Sequence, residues 1–186
     1  MGPTTYREAV AAYQPQSLRE QADRELILYA MDAFPQSILT RENLLCHMTA
    51  SAFPVNPART AVLMAYHNIY QSWAWPGGHA DGSDDPLADA LRETWEELGV
   101  HARPLSPRPA SVEVLPVPAH EKRGRPVAAH LHLNVSFLLE VPEDAPLRGA
   151  PEENSGVAWI PLARLEEACS EPDMLPIYRR LADRAR

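Results

Sequence analysis

The chain has 186 residues, 45% of them hydrophobic, enough for one domain with an extension and a sizeable core. Its 25 acidic and 17 basic residues leave a net charge of −8, which excludes general electrostatic binding to DNA or RNA. No apolar run reaches membrane-spanning length, no signal peptide opens the chain, and Cys46 and Cys169 form neither a metal spacing nor a disulfide framework, so a soluble cytoplasmic protein without a membrane partner is expected.

Residues 5–45 read as helical. Thr5 with Glu8 and Ser17 with Glu20 both fit a capping box. The second opens LREQADRELILYAMDAF, in which Leu18, Ala22, Leu26, Tyr29 and Ala33 share one face and Pro35 ends the helix. Residues 1–45 are therefore expected to form a helical N-terminal extension, which packs on the core or serves as a lid or a homodimer contact.

The pattern changes at His47. HMTASAFPV reads as a strand, NPART as a turn and AVLMAYH as a second strand. Farther on, SVEVLPVPAH and PVAAHLHLNVSFLLE read as a hairpin joined by EKRGR, followed by the short strand GVAWI. LARLEEAC opens after Pro161, and PDMLPIYRRLADRAR closes the chain as a helix. Interleaved strands and helices without regular repeats predict an α+β fold with a mixed sheet between helices.

Between the first strands and that hairpin lies GGHADGSDDPLADALRETWEELGV. Asp85 followed by Pro86 makes an N-cap and first-turn pair, and Gly99 suits the residue after the last turn, so a helix is expected from about Pro86 to Leu98. Leu87, Leu91, Trp95 and Leu98 form an apolar stripe. Glu93, Glu96 and Glu97 form a second stripe away from it, although like charges on adjacent turns destabilise a helix by a few tenths of a kcal/mol per pair, roughly. Converging carboxylates of this kind suit a hard divalent cation, often with phosphate completing its shell. Arg92 can fix the rotamer of a neighbouring carboxylate, and Gly77, Gly78 and Gly82 allow the loop backbone to approach a ligand. The bland alternative is a solvated acidic helix face.

The same residues resemble the Nudix box, G-x5-E-x7-R-E-U-x-E-E-x-G-U with U aliphatic, in which Gly78, Arg92, Glu93, Glu96, Glu97, Gly99 and Val100 fall in place. Asp84 replaces the first glutamate and Thr94 an aliphatic residue. The resemblance implies a Nudix-type α/β/α sandwich over residues 46–186. It also implies Mg²⁺- or Mn²⁺-dependent hydrolysis of a small-molecule diphosphate, a nucleoside diphosphate linked to a further group. Carried over by position, Glu93, Glu96 and Glu97 supply metal ligands, with the carbonyl of Gly77 beside them. Arg92 supports them, and Gly78 and His79 line the substrate. Glu153, six residues before Trp159, stands where some relatives place a general base; Glu152 is the alternative.

His130, His132 and Asn134 alternate along one strand and share a face. They read as substrate-binding residues lining a pocket, with the histidines donating to phosphate or base edges or binding metal as a pair; a half-exposed sheet face is the alternative. HMTASAF and the GGH after WAW are similar to parts of isopentenyl diphosphate isomerase. That relative carries a catalytic cysteine where this chain has Gly77, so isomerase activity is not expected. His47 and His79 then read either as metal or phosphate contacts or as core and loop histidines. Tyr70, Trp73 and Trp75 suit stacking on a base or packing against the N-terminal helices. A catalytically silent binding module is the alternative from another functional class, and the intact glutamates speak against it.

Overall fold

A computed structural model describes residues 4–68, 71–122, 124–150, 152 and 154–186. Helix α1 spans Tyr6–Ala12 and starts at a reciprocal capping box, with the Glu8 N–H donating to Thr5 Oγ1 at 3.1 Å and the Thr5 N–H to the Glu8 carboxylate at 2.9 Å. Helix α2 spans Leu18–Ala33 and is capped by Ser17, which accepts from the Glu20 N–H at 3.2 Å. Its Glu20 carboxylate accepts the Gln16 N–H at 2.8 Å instead of closing a reciprocal box on Ser17. The chain then passes through turns from 34 to 45 rather than continuing as helix.

The buried face of α2 differs from the expected stripe. Leu18 is 85% and Tyr29 74% exposed, whereas Glu20, Asp23, Ile27, Ala30 and Met31 face inward. The cause lies far along the sequence. Arg184 at 2.8 Å and Arg180 at 3.1 Å reach Glu20 from the C-terminal helix, and the Tyr13 hydroxyl donates to it. A buried carboxylate is tolerated only when paired and hydrogen-bonded in this way.

The strands are β1 (Cys46–Val55), β2 (Ala61–His67), β3 (Ser72–Ala74), β4 (Gly77–His79), β5 (Arg103–Pro104), β6 (Ser111–Val117), β7 (His120–Lys122), β8 (Arg125–Val127), β9 (His130–Glu140) and β10 (Asn154–Pro161). The remaining helices are α3 (Pro86–Leu98), the single turn α4 (Leu165–Ala168) and α5 (Leu175–Ala185). The main sheet runs β10–β2–β1–β9–β5, with β3 on β2, β4 on β1 and β6 on β9. Strands β1 and β9 are parallel in unbroken register from Cys46↔Leu131 to Val55↔Glu140, while the pairings of β2, β4 and β6 are antiparallel. The sheet is therefore mixed. Strand β6 pairs with β9 as the expected hairpin, but the EKRGR segment is not a plain turn: β7 and β8 form a separate ribbon there.

Strand β1 is buried along its whole length, so both of its faces are covered. Met48, Ala50 and Ala52 pack with Leu133, Val135 and Phe137 of β9 against α1, α2 and Ala90 of α3. On the other face Phe53 and Val55 pack with Met64 against Tyr178, Leu181 and Ala182 of α5. Burial of each large apolar side chain in these layers contributes about 1.5–3 kcal/mol. The result is the expected α+β sandwich, a mixed sheet between helical layers.

Candidate active site

Helix α3 begins and ends where its caps predict. Asp85 accepts the Ala88 N–H at 3.0 Å, Pro86 opens the first turn, and Gly99 closes the helix in the left-handed region at φ 71°. Its orientation departs from expectation. Ala90, Glu93, Thr94, Glu97 and Leu98 are buried, whereas Trp95 is 40% exposed and stacks on His101. Leu87 and Leu91 are only partly buried. Two of the three glutamates thus lean into the protein, and Glu96 remains at the rim.

Strand β4 explains why. The Gly77 N–H donates to Glu97 Oε1 at 3.0 Å. A Cβ on Gly78 would lie 2.3 Å from Glu93 Oε1, and one on Gly77 2.2 Å from Ser51 Oγ, so the glycines let the strand run directly against the Glu93 carboxylate and Ser51. Arg92 completes the clamp: Nη1 donates to Glu93 Oε1 at 2.6 Å and Glu96 Oε2 at 3.2 Å, and Nη2 to the carbonyl of His79 at 3.1 Å. These contacts offset the repulsion between carboxylates on adjacent turns. Thr94 is fully buried at its aliphatic position because its hydroxyl donates to the Ala90 carbonyl at 2.7 Å, within its own helix.

Three supporting contacts were not readable from the sequence. Asp84 accepts the Tyr6 N–H at 3.1 Å, and the Tyr6 hydroxyl donates to Asp89 at 3.0 Å, so the N-terminal helix is fastened to the box helix at two points. Burial pushes the Asp89 carboxyl up from its ordinary pKa. At the far end, Asn154 Nδ2 donates to the carbonyl of Glu97 at 3.1 Å, which ties the start of β10 to α3. Glu153 itself lies outside the described residues; its neighbour Glu152 is exposed.

On the sheet face, His132 stands beside His47, and Asn134 beside Thr49, across the parallel β1–β9 register. Asn134 is fully buried: its Oδ1 accepts from Thr49 and Ser51, both at 2.9 Å, and its Nδ2 donates to Glu113 at 3.0 Å and Ser136 at 2.9 Å. Those four contacts use the whole hydrogen-bonding capacity of the amide. His47, His79, His130 and His132 gather at the N-terminal end of the same face, with ring centroids 4.8–5.1 Å apart in the five contacting pairs. Burial depresses His47, and burial together with the neighbouring imidazoles holds His132 down to about 3.

The tryptophans before the box pack on aromatic partners outside the N-terminal helices. Trp75 packs edge-on against Tyr178 of α5 at 5.4 Å and Trp73 against Tyr66 at 5.5 Å, while Tyr70 lies outside the described residues.

A mixed sheet between helices, with a glycine strand closing over inward carboxylates on the second half of a capped helix, defines a Nudix-type fold. A family-wide profile described as the NUDIX domain matches residues 46–181, and the chain belongs to the NUDIX family. It is 28% identical over 107 residues to a probable DHNTP pyrophosphohydrolase of Lactococcus lactis subsp. cremoris, a match covering 56% of this chain and 57% of that protein. The chain thus spans just over half the length of that curated relative. Among solved structures, a NUDIX hydrolase of Nitrosomonas europaea shares the fold with TM-score 0.57 and 15% identity over 75% of this chain and 90% of its own. A NUDIX-family hydrolase of Clostridium perfringens does so with TM-score 0.54 and 18% identity over 75% of this chain and 98% of its own.

Proposed function

We propose that the protein hydrolyses a diphosphate linkage in a small molecule, a nucleoside diphosphate or triphosphate type of substrate, with a divalent cation bound at the box helix. One observation carries this reading: Glu93 and Glu97, both nearly buried, sit side by side under β4, with Glu97 anchored on the Gly77 N–H. An inward pair of carboxylates is costly to bury for stability alone.

The donor set fits a hard divalent ion. All the side-chain donors are oxygen, and Arg92 orients Glu93 while leaving the site net acidic. Glu93, Glu97 and Glu96 at the rim would hold Mg²⁺ or Mn²⁺ beside the Gly77 carbonyl. A cation held there supplies charge neutralisation for the phosphates and lowers the pKa of a bound water. The chain's own groups do the positioning on which phosphoryl chemistry depends. Gly78 and His79 present backbone to the diphosphate, and Arg92 fixes both Glu93 and the end of β4. Asn154 ties the start of β10 to the C-terminal end of α3, and Glu152 and Glu153, the candidate bases, precede it in the sequence. His130 and His132 border the part of the sheet face where the group attached to the diphosphate rests, and Asn134 braces that face from below. The likeness to a probable DHNTP pyrophosphohydrolase supports including DHNTP among the substrates tested.

The test is a panel of nucleoside triphosphates, ADP-ribose, dinucleoside polyphosphates and DHNTP, with product masses read with Mg²⁺ and with excess chelator. Cleavage within the phosphate chain that requires the cation is the expected result. No cleavage of any member in either condition favours a silent binding module.

A further inference from the structure

Besides the box carboxylates, the sheet face carries a second cluster built entirely of imidazoles. His47 comes from β1, His130 and His132 from β9 and His79 from β4; none is near the others in sequence except the β9 pair. One ring nitrogen from each of His47, His130 and His132 lies within 4.8 Å of the other two.

The tautomers can be read from the partners. His47 Nδ1 faces the carbonyl of Asn43 at 3.1 Å, and His130 Nδ1 faces the carbonyl of Ala128 at 2.8 Å. A carbonyl accepts only, so both Nδ1 atoms carry the proton, and in the neutral ring each Nε2 is left as a lone-pair donor. Tying the far nitrogen to a backbone carbonyl is also what orients a metal-bound histidine. His130 Nε2 lies 3.2 Å from His132 Nε2. Two nitrogens bound to one tetrahedral zinc at about 2.0–2.1 Å stand roughly 3.3 Å apart. A hydrogen bond from His132 to His130 would account for that pair alone. It does not account for His47, a residue 5% exposed whose Nε2 is buried without a hydrogen-bond partner among the described residues. An orphaned acceptor there is costly unless something fills the space in front of it.

We infer that His47, His130 and His132 form a binding site for a single divalent transition-metal ion of the zinc type, separate from the carboxylate site. Imidazole donors select zinc, copper, iron or nickel over magnesium. Three protein ligands leave one position of a tetrahedral ion for water or a substrate oxygen, or for His79, whose ring packs 4.8 Å from that of His132. Arg41, a positive charge near the cluster, is neutralised by a two-pronged pair with Asp81 at 2.5 and 2.7 Å. His130 also lines an open recess of about 370 Å³ with Leu45 and Pro116.

The test uses the full chain without a polyhistidine tag, stripped by chelator and titrated with Co²⁺, whose visible absorption reports nitrogen coordination. One saturable equivalent displaced by Zn²⁺ is expected. His132→Ala and His130→Ala weaken it by at least ~10²-fold, beyond the cost of losing an outer-shell contact. His130 is only half-buried, so its variant carries the test if a substitution in the buried part of the cluster prevents folding. Glu97→Gln leaves the absorbing equivalent in place, which separates this site from the box. Absence of a saturable band, a band that survives both histidine substitutions, or one abolished by Glu97→Gln overturns the assignment.

Discussion

Gly78 and the Glu93 carboxylate occupy adjoining space with no room for a methyl group between them: a Cβ at position 78 would stand 2.3 Å from Glu93 Oε1 and 2.4 Å from its Cδ. The three nearest atoms it would meet all belong to the end of one flexible side chain. Gly78→Ala should therefore fold with little loss of stability, because the carboxylate can swing aside. The displaced oxygens then no longer share the site with Glu97, and a shift of about 1 Å can cost 10²-fold in rate. Thermal melting compared with steady-state hydrolysis checks this; a normal rate with a normal melting temperature contradicts it.

The N-terminal helix is tied to the box helix through Tyr6, which is fully buried. Tyr6→Phe keeps the ring and removes the 3.0 Å hydrogen bond to Asp89, a carboxylate that burial already disfavours. Leaving that buried acceptor short of a donor costs about 1–3 kcal/mol. Equilibrium unfolding in urea should show a lower midpoint at unchanged slope. A midpoint within error of the parent would mean that the contact is not made in solution.

Glu20 predicts the acid limb of stability. Arg184, Tyr13, the Gln16 N–H and Arg180 together outweigh the burial penalty and bring its pKa down to about 2 from 4.5. A folded-state pKa below the unfolded one means that the unfolded chain binds the proton first. The contribution is complete above pH 4.5 and is lost progressively as pH falls towards about 2. Glu20→Gln cannot titrate there, so its stability should fall less steeply than the parent's over that window. Parallel curves for the two proteins would contradict the pairing.

How much was legible depended on the range of the interaction. The limits of α3 were readable because Asp85, Pro86 and Gly99 act within one turn of the ends they set. The inward turn of Glu93 and Glu97 was not, because it depends on β4 crossing α3, a tertiary contact with no local trace. The buried face of α2 was misread for the same reason: an apolar count ranks Leu18 and Tyr29 above Glu20, and the arginines that reverse the order lie about 160 residues away. The alternation of His130, His132 and Asn134 was visible as strand periodicity. Their convergence with His47 required the parallel β1–β9 register, which no pattern in either strand specifies alone.

The most direct test of the account is the turnover of Glu97→Gln on whichever substrate the parent cleaves. The amide oxygen of glutamine can still accept the Gly77 N–H, so the fold and the loop should hold while the negative charge is lost. A fall in kcat of at least ~10²-fold is expected, the scale of losing one preorganised electrostatic contact. Parent-like kcat in a folded Glu97→Gln protein would contradict it.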